Sequence, residues 1–360
     1  MTIKSPLLAR PGAVEAGGAD AGVASHYGEP LREQRALAGG TAVVDLSHRG
    51  VVTVTGPDRL SWLNTLSSQQ LTNLAPGQSS ELLLLSVQGR IEFDARVVDD
   101  GATTWLIVEA AEAGPLAEWL NKMKFMLRVE IADVSGDWAV LGSTRRVPDW
   151  SGLLVWEDPW PHVGAGGYSY AVVGEDAHPG LERPWFEYLV PAAALESTVG
   201  ERPLAGVWAA EALRIAAWRP RWGAETDDKT IPHELDLLRT AVHLNKGCYK
   251  GQETVARVHN LGHPPRRLVF LQLDGSQHTM PAVGSEVRAG DRKVGTVTSV
   301  AQHYEMGPVA LAVVKRSVAP EEVLTVLDGE EPYAAAQEVI VAPDAGQVVG
   351  RQTGFLRGTR

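Results

Sequence analysis

The run Val51-Val52-Thr53-Val54-Thr55 is closed by Gly50 on one side and by Gly56-Pro57 on the other. Residues branched at Cβ fit a pleated surface and glycine and proline end it, so a strand is expected over 51–55. From Asp58 to about Gln69 the apolar residues Leu60, Trp62, Leu63 and Leu66 recur at near-helical spacing, which predicts an amphipathic helix. Three further runs, 82–87, 91–98 and 103–108, are separated by Gln88-Gly89 and by Asp99-Asp100-Gly101. Turn-forming breaks between such runs predict an antiparallel meander. Behind Pro115, the residues Leu116, Trp119, Leu120, Met123 and Leu127 repeat every three or four positions. They predict a helix that starts near the proline and covers the meander with its apolar face.

The pattern then repeats more loosely. Strands are expected at 129–134 and 138–141, and a passage rich in Pro, Trp and Gly follows over 145–167, with Trp150, Trp156 and Trp160. It reads as loops joining two similar halves, its indoles packing locally or stacking on a flat ligand. Strands are expected again at 168–173 and 185–190, and a helix over 203–217 with Val207, Trp208, Glu211, Ala212 and Ile215 on its pattern. Beyond Leu268 short strands at 268–273, 286–288, 293–299, 309–314 and 323–327 are divided by Gly, Asp and Pro, the rhythm of a small antiparallel barrel or sandwich. The expected fold is therefore α+β, with two similar α+β halves around a central cleft plus a small C-terminal antiparallel β-barrel. The expected boundaries are an irregular arm over 1–25, a first α+β domain over 26–145, a second over 146–263 and the barrel over 264–360. The last boundary is drawn at Pro264-Pro265 because the residue before a proline is pushed toward extended geometry. The last ten or so residues are expected to be loose.

Composition narrows the function classes. At 360 residues, 44% hydrophobic and 21% charged, the chain has the balance of an ordinary globular protein of two or three domains. A net charge of −11 argues against a general nucleic-acid surface, which needs a clustered excess of Lys and Arg. The longest aliphatic run, 82–85, is far short of the ~20 residues that span a bilayer. With one cysteine no intramolecular disulfide forms, and no basic end leads into an apolar run, so a cytoplasmic location is the default expectation.

That cysteine is the candidate for chemistry. Cys248 stands in Lys246-Gly247-Cys248-Tyr249-Lys250-Gly251-Gln252-Glu253, among polar residues and glycines rather than in an apolar run. A thiolate is the reactive form, and an ordinary thiol of pKa about 8.5 is mostly protonated at neutral pH. Lys246 and Lys250 are the cations expected to favour the anion. Glu187, in Trp185-Phe186-Glu187-Tyr188, is a charge inside an apolar strand, which either turns to solvent or needs a partner when buried. Asp94 follows the meander turn in Gly89-Arg90-Ile91-Glu92-Phe93-Asp94, where an exposed residue is the ordinary expectation. Arg214 has a guanidinium suited to clamping a carboxylate or forming a surface ion pair. His233, His243, His259 and His263 crowd the octet, but their spacing matches no compact ligand set, and no metal site is expected.

The octet, followed by Val255-Ala256-Arg257, resembles the signature of the YgfZ-type folate-binding proteins, which are relatives of the glycine-cleavage aminomethyltransferase. Asp45-Leu46-Ser47-His48 with Gly50 is similar to the opening motif of that aminomethyltransferase. The resemblance extends over about 26–315 and is weaker in the middle, where it rests on Arg214 and on 223–232. It implies a cleft for tetrahydrofolate or a one-carbon derivative. In that cleft it implies Glu187 on the pterin edge, Asp94 beside the reactive nitrogens, Arg214 near the folate, and Tyr249 and Gln252 as further contacts. It also implies an accessory protein that supports iron–sulfur cluster assembly or repair in client proteins, and through it tRNA modification, without binding nucleic acid itself. Catalytic roles would fall to Cys248, Lys246 and Asp94. Two alternatives stay open, a folate-dependent aminomethyltransferase of glycine cleavage and a single-cysteine redox sensor. The segment Ile215-Ala216-Ala217-Trp218 departs from the acidic-plus-glycine pattern of the aminomethyltransferase, which also lacks the octet.

Overall fold

A computed structural model describes residues 4–276 and 278–347; the segment expected to be loose lies almost wholly outside them. The arm is more ordered than expected. A short hairpin, β1 (Val14–Glu15) with β2 (Ala24–His26), is anchored by Leu7 and Val23, both sealed in the core. Burial of an aliphatic side chain is worth about 1.5–3 kcal/mol, enough to pin a segment whose composition looked indifferent. Helix α1 (Pro30–Ala38) and strand β3 (Val43–Asp45) follow.

The first half is a five-stranded sheet. β4 (Gly50–Thr55), β5 (Ser79–Leu85), β6 (Ile91–Asp99), β7 (Thr103–Val108) and β8 (Glu130–Asp133) stand in the order β5-β6-β7-β4-β8, with every neighbouring pair antiparallel. The expected meander is β5-β6-β7. Helices α2 (Arg59–Leu66) and α3 (Ala110–Met123) cover one face, where Trp62, Leu63, Leu116 and Leu120 pack against Val52, Leu84 and Leu106. Helix α3 begins five residues before Pro115, which lies inside it. Its start is set by Glu112, whose Oε2 accepts from the backbone N–H of Glu109 at 3.1 Å while its own N–H donates to the Glu109 carbonyl at 2.9 Å, a stronger start signal than the proline. Leu127 falls outside the helix and is exposed, as is Met123.

The second half is a five-stranded sheet of order β10-β11-β9-β3-β12, formed by β9 (Trp138–Ser143), β10 (Leu154–Glu157), β11 (Phe186–Pro191) and β12 (Leu204–Ala205) with β3. Only β12 and β3 run parallel. The two sheets share a core in which Val51, Val98 and Ile107 meet Val44, Val140, Trp156, Trp185 and Leu189. The strand expected over 168–173 does not form. Tyr170 and its neighbours lie in a loop with a single bridge, Ala171 to Val341, because Asp236 and Leu238 take the backbone N–H groups of Tyr170 and Tyr168. Helix α4 (Leu195–Val199) is short, and α5 (Val207–Ala216) begins after Gly206. Trp208 was expected on its buried pattern but is 54% exposed, its ring tilted against His26 with centroids 5.1 Å apart. Helix α6 (Gln252–Leu261) carries the end of the octet.

The remainder is a closed six-stranded antiparallel barrel, β13 (Arg266–Leu273), β14 (Glu286–Ala289), β15 (Arg292–His303), β16 (Gly307–Lys315), β17 (Leu324–Asp328) and β18 (Glu331–Val339). Its interior is Val269, Leu271, Val287, Val297, Ala312, Val326 and Tyr333. The closing strand β18 had no sequence counterpart, since Tyr-Ala-Ala-Ala-Gln has little β-branching. It seals the barrel by pairing with both β17 and β13, so neither edge is left open.

Candidate functional site

At one end of the shared core the walls of the cleft turn from aliphatic to charged. Glu187 on β11 is fully buried. Its Oε1 accepts from Arg49 Nη1 at 2.9 Å and from Trp185 Nε1 at 2.9 Å, with Arg96 Nε at 3.5 Å. Its Oε2 is sealed from solvent and has no hydrogen-bond partner. Glu187 thus turned inward rather than to solvent, since β10 and β9 flank both edges of β11 and its two faces enter two cores, Leu189 in one and Phe186, Tyr188 and Val190 in the other.

Side chains two apart on a strand share a face, and Asp94 and Arg96 do so on β6. Arg96 stands opposite Glu81 of β5. Asp94 is half-buried rather than exposed. Burial, and then the neighbouring charge of Glu81, push its carboxyl up to about 8. Its backbone N–H donates to Glu112 Oε1 at 2.9 Å, and burial raises the Glu112 carboxyl to about 9. Both are therefore carboxyls that hold a proton at neutral pH.

Arg214 of α5 is buried and already committed. It donates to Glu211 at 2.9 Å, to Glu225 at 3.0 Å, to Ser299 Oγ of the barrel at 2.7 Å and to the carbonyl of Arg219 at 2.7 Å. The carboxylates it clamps are the chain's own. Arg219 bonds Glu81 at 2.6 Å and Asp158 at 3.2 Å, and Arg221 bonds Glu109 at 2.7 Å and Asp20 at 2.6 Å. Burial raises the carboxyl of Glu109, but Arg221, then Arg49 and Arg96, outweigh it and hold Glu109 well below the carboxylate range. Asp20, Arg49, Arg96, Arg219 and Arg221 were not picked out from sequence. The clue available was the density of arginine in Arg214-Ile215-Ala216-Ala217-Trp218-Arg219-Pro220-Arg221.

The seat beside Glu187 measures about 20 Å³, against the roughly 10–15 Å³ that one water requires. A larger hollow of about 860 Å³ adjoins it, bordered by Ser47, Glu109, Ser135 and Trp222. His48, Arg49 and Arg221 belong to the walls of both.

The octet lies elsewhere and shares no lining residue with the cleft. Lys246 sends its ammonium to the carbonyls of Asn64, Ser67 (2.6 Å) and Gln69 (2.8 Å), at the C-terminal end of α2. Burial lowers that ammonium to about 8. Lys250 pairs with Glu92 at 3.0 Å, so both lysines are committed to docking rather than free to serve the sulfur, as had been expected. Gly251 has φ +86°, and a Cβ there would meet the carbonyl oxygen of Ser86 at 2.5 Å; only glycine lets the turn press onto the β5–β6 hairpin. The Gln252 side-chain N–H donates back to the carbonyl of Lys246 at 3.3 Å. Tyr249 and Gln252 line a hollow of about 270 Å³ with Leu244, Glu253, Val255 and Ala256, and Cys248 itself is exposed.

The histidines serve packing. His259 Nδ1 meets Tyr170 OH at 2.8 Å, His233 Nε2 meets the carbonyl of Val255 at 3.1 Å, and His263 Nδ1 meets that of Ala345 at 2.7 Å. Among the described residues no group of three or more His, Cys, Asp or Glu side chains is placed to hold a metal ion, and no helix is long and apolar enough to cross a membrane.

Residues 24–143 match the GCVT N-terminal domain and residues 266–343 the glycine cleavage T-protein C-terminal barrel domain, together more than half of the chain. The chain carries both domains of the glycine cleavage T-protein. The aminomethyltransferase of Corynebacterium aurimucosum is 27% identical over 340 residues, covering 86% of this chain and 86% of that protein. The aminomethyltransferase of a Nostoc strain is 29% identical over 309 residues, 80% of each. The crystal structure of glycine cleavage system aminomethyltransferase T from Bartonella henselae superposes with a TM-score of 0.72 at 17% identity, over 93% of this chain and 94% of that one, which establishes the shared T-protein fold. The barrel match begins at Arg266, the first residue of β13.

Proposed function

We propose that this chain binds tetrahydrofolate or a one-carbon derivative in the cleft between the two sheets, and that it acts as a YgfZ-type accessory protein for iron–sulfur cluster assembly or repair. The observation that carries the folate reading is the orphaned Oε2 of Glu187. A buried carboxylate oxygen with no protein donor costs stability, and it fits the N–H groups along the edge of a pterin. The residues present fit the group: Oε1 is taken by Arg49 and Trp185, and Oε2 is left to meet the ring. Bound reduced folate supplies an amine nitrogen that carries or accepts one carbon. Asp94 holds a proton at neutral pH for that nitrogen, while Arg49 and Arg96 pair with Glu187 and Trp185 orients it.

Cys248 supplies the second part of the reading. The lysines and Gly251 dock the turn on the first domain and Gln252 ties the octet to itself, and none of those duties involves the sulfur, which stands in solvent. An exposed thiol on a rigid turn suits contact with a client protein, the cluster residing in the client. Relatives named aminomethyltransferase and the protonated carboxyl of Asp94 favour a second reading, transfer of an aminomethyl group to folate.

Calorimetry with tetrahydrofolate on wild type and Glu187→Gln tests the site. We expect a Kd at least tenfold higher for the variant, about 1.4 kcal/mol. Equal binding removes Glu187 from the site, and binding by neither protein removes the folate reading. In cells lacking the protein, wild type should restore cluster occupancy of iron–sulfur enzymes and Cys248→Ser should not. Equal restoration detaches the cysteine from the function. Transfer from an aminomethyl-lipoyl carrier to tetrahydrofolate, lost in Asp94→Asn, would instead establish the enzyme.

A further inference from the structure

The N-terminal hairpin does more than pack. Its strands β1 and β2 close on each other through Ala16 N–H to the carbonyl of Val23 at 2.9 Å, and between them residues 17–21 read Gly-Gly-Ala-Asp-Ala. No residue of the one-turn helix Gly18–Asp20 is buried, and the backbone bonds of the tip are local, Asp20 N–H to Gly17 and Ala21 N–H to Gly18. Asp20 makes the tip's strong connection to the body. Its Oδ1 lies 3.1 Å from His48 Nε2 and 2.6 Å from Arg221 Nη2, the imidazole being sealed from solvent with Nδ1 unpartnered.

The tip stands at a junction. Asp20 forms part of the wall of the Glu187 seat, whereas Gly18, Ala19 and Ala21 form part of the wall of the 860 Å³ hollow. His48 and Arg221, the groups that hold Asp20, border both. A carboxylate from an otherwise featureless loop therefore sits on two buried donors where a large hollow meets a small one.

We infer that His48 and Arg221 form a carboxylate-binding subsite, that Asp20 fills it as an internal stand-in, and that a ligand carboxylate displaces Asp20 and swings the 17–21 tip aside. Arg221 keeps Glu109 and Glu211 in either state, so the exchange replaces one carboxylate with another at the same donors. Little apolar area is lost when the tip moves, because its side chains are Gly and Ala. Without a stand-in, Arg221 and His48 would face the cleft with a donor unpaired, a costly arrangement for buried polar groups. The subsite goes beyond the folate reading, and only the choice of ligand rests on it.

The probe is glutarate, with the neutral isostere glutaramide as control, measured by calorimetry and by thermal unfolding on wild type and Asp20→Asn. Glutarate should bind Asp20→Asn at least tenfold more tightly than wild type and raise its Tm, while glutaramide does neither. Glutarate binding that is no tighter in the variant, or a glutaramide effect equal to that of glutarate, overturns the subsite. Tetrahydrofolate and tetrahydropteroate, which lacks the glutamate, identify the ligand. A tenfold gain in Asp20→Asn for tetrahydrofolate that tetrahydropteroate does not share assigns the carboxylate to the tail of the folate, and a gain for glutarate alone assigns it to a separate carboxylate ligand. Tetrahydrofolate that binds neither protein, beside glutarate that binds the variant, rejects the folate reading and leaves the subsite standing.

Discussion

The cleft and the octet turn are both polar regions of one fold, and they spend their charges differently. In the cleft, Arg214, Arg219 and Arg221 are buried; the first two hold two carboxylates each and Arg221 holds three. At the turn, one lysine is caged by carbonyls and the other pairs at the surface with Glu92. The cleft is a network in which removing a member exposes the others to a low dielectric. The turn is a clamp on a neighbouring domain, and the cysteine it presents has no structural partner to lose. A buried charge is thus weak grounds for assigning a ligand unless an atom is left over, as Oε2 of Glu187 is.

The severest way to break this contrast is in the network. Arg214→Ala leaves Glu225 without its ion pair and Glu211 with Arg221 alone, and we expect a loss of about 3–5 kcal/mol in urea unfolding; a loss below 1 kcal/mol would mean that the cleft is no more demanding than a surface. Lys246→Met strips the donor from three carbonyls and should cost about 1–3 kcal/mol. It should also raise the rate of amide exchange across the octet, and an unchanged exchange rate would reject the clamp.

Asp94→Asn sharpens the comparison through pH. The carboxyl titrates near 4 in the unfolded chain and at about 8 in the fold, so the fold retains the proton longer. Its contribution to stability is complete below about pH 4 and is lost as pH rises toward 8. Asparagine has no such titration, and the stability of the variant relative to wild type should therefore increase between pH 5 and pH 8. Equal differences at both pH values would show that Asp94 is ionised in the fold. The smallest effect is expected from Cys248→Ser, within about 0.5 kcal/mol of wild type as for an exposed residue without partners. A larger loss in the same urea titration would make the cysteine structural.

Much of the architecture was legible because local signals and tertiary environment agreed. The 51–55 run, the meander and most of the barrel strands lie where β-branching and turn residues placed them. Where the two disagreed, tertiary partners won. Asp236 and Leu238 took the backbone groups of 168–173 and prevented a strand, and the Glu109–Glu112 cap started α3 before its proline. The octet was legible as a motif, but its lysines were read as partners of the sulfur, because adjacency in sequence carries no direction for a long side chain. Glu187 was found as a charge among apolar neighbours. Its arginines were not, since Arg49 and Arg96 come from separate parts of the chain, both far in sequence from Glu187.

By itself, then, the order of residues determined the α+β halves, the barrel and a single cysteine set in a polar turn, since periodicity and turn chemistry act over a few neighbours. Only the tertiary structure decided which charges meet. An ion pair depends on distances of about 3 Å between residues as far apart as Asp20 and Arg221, and no local rule encodes that distance.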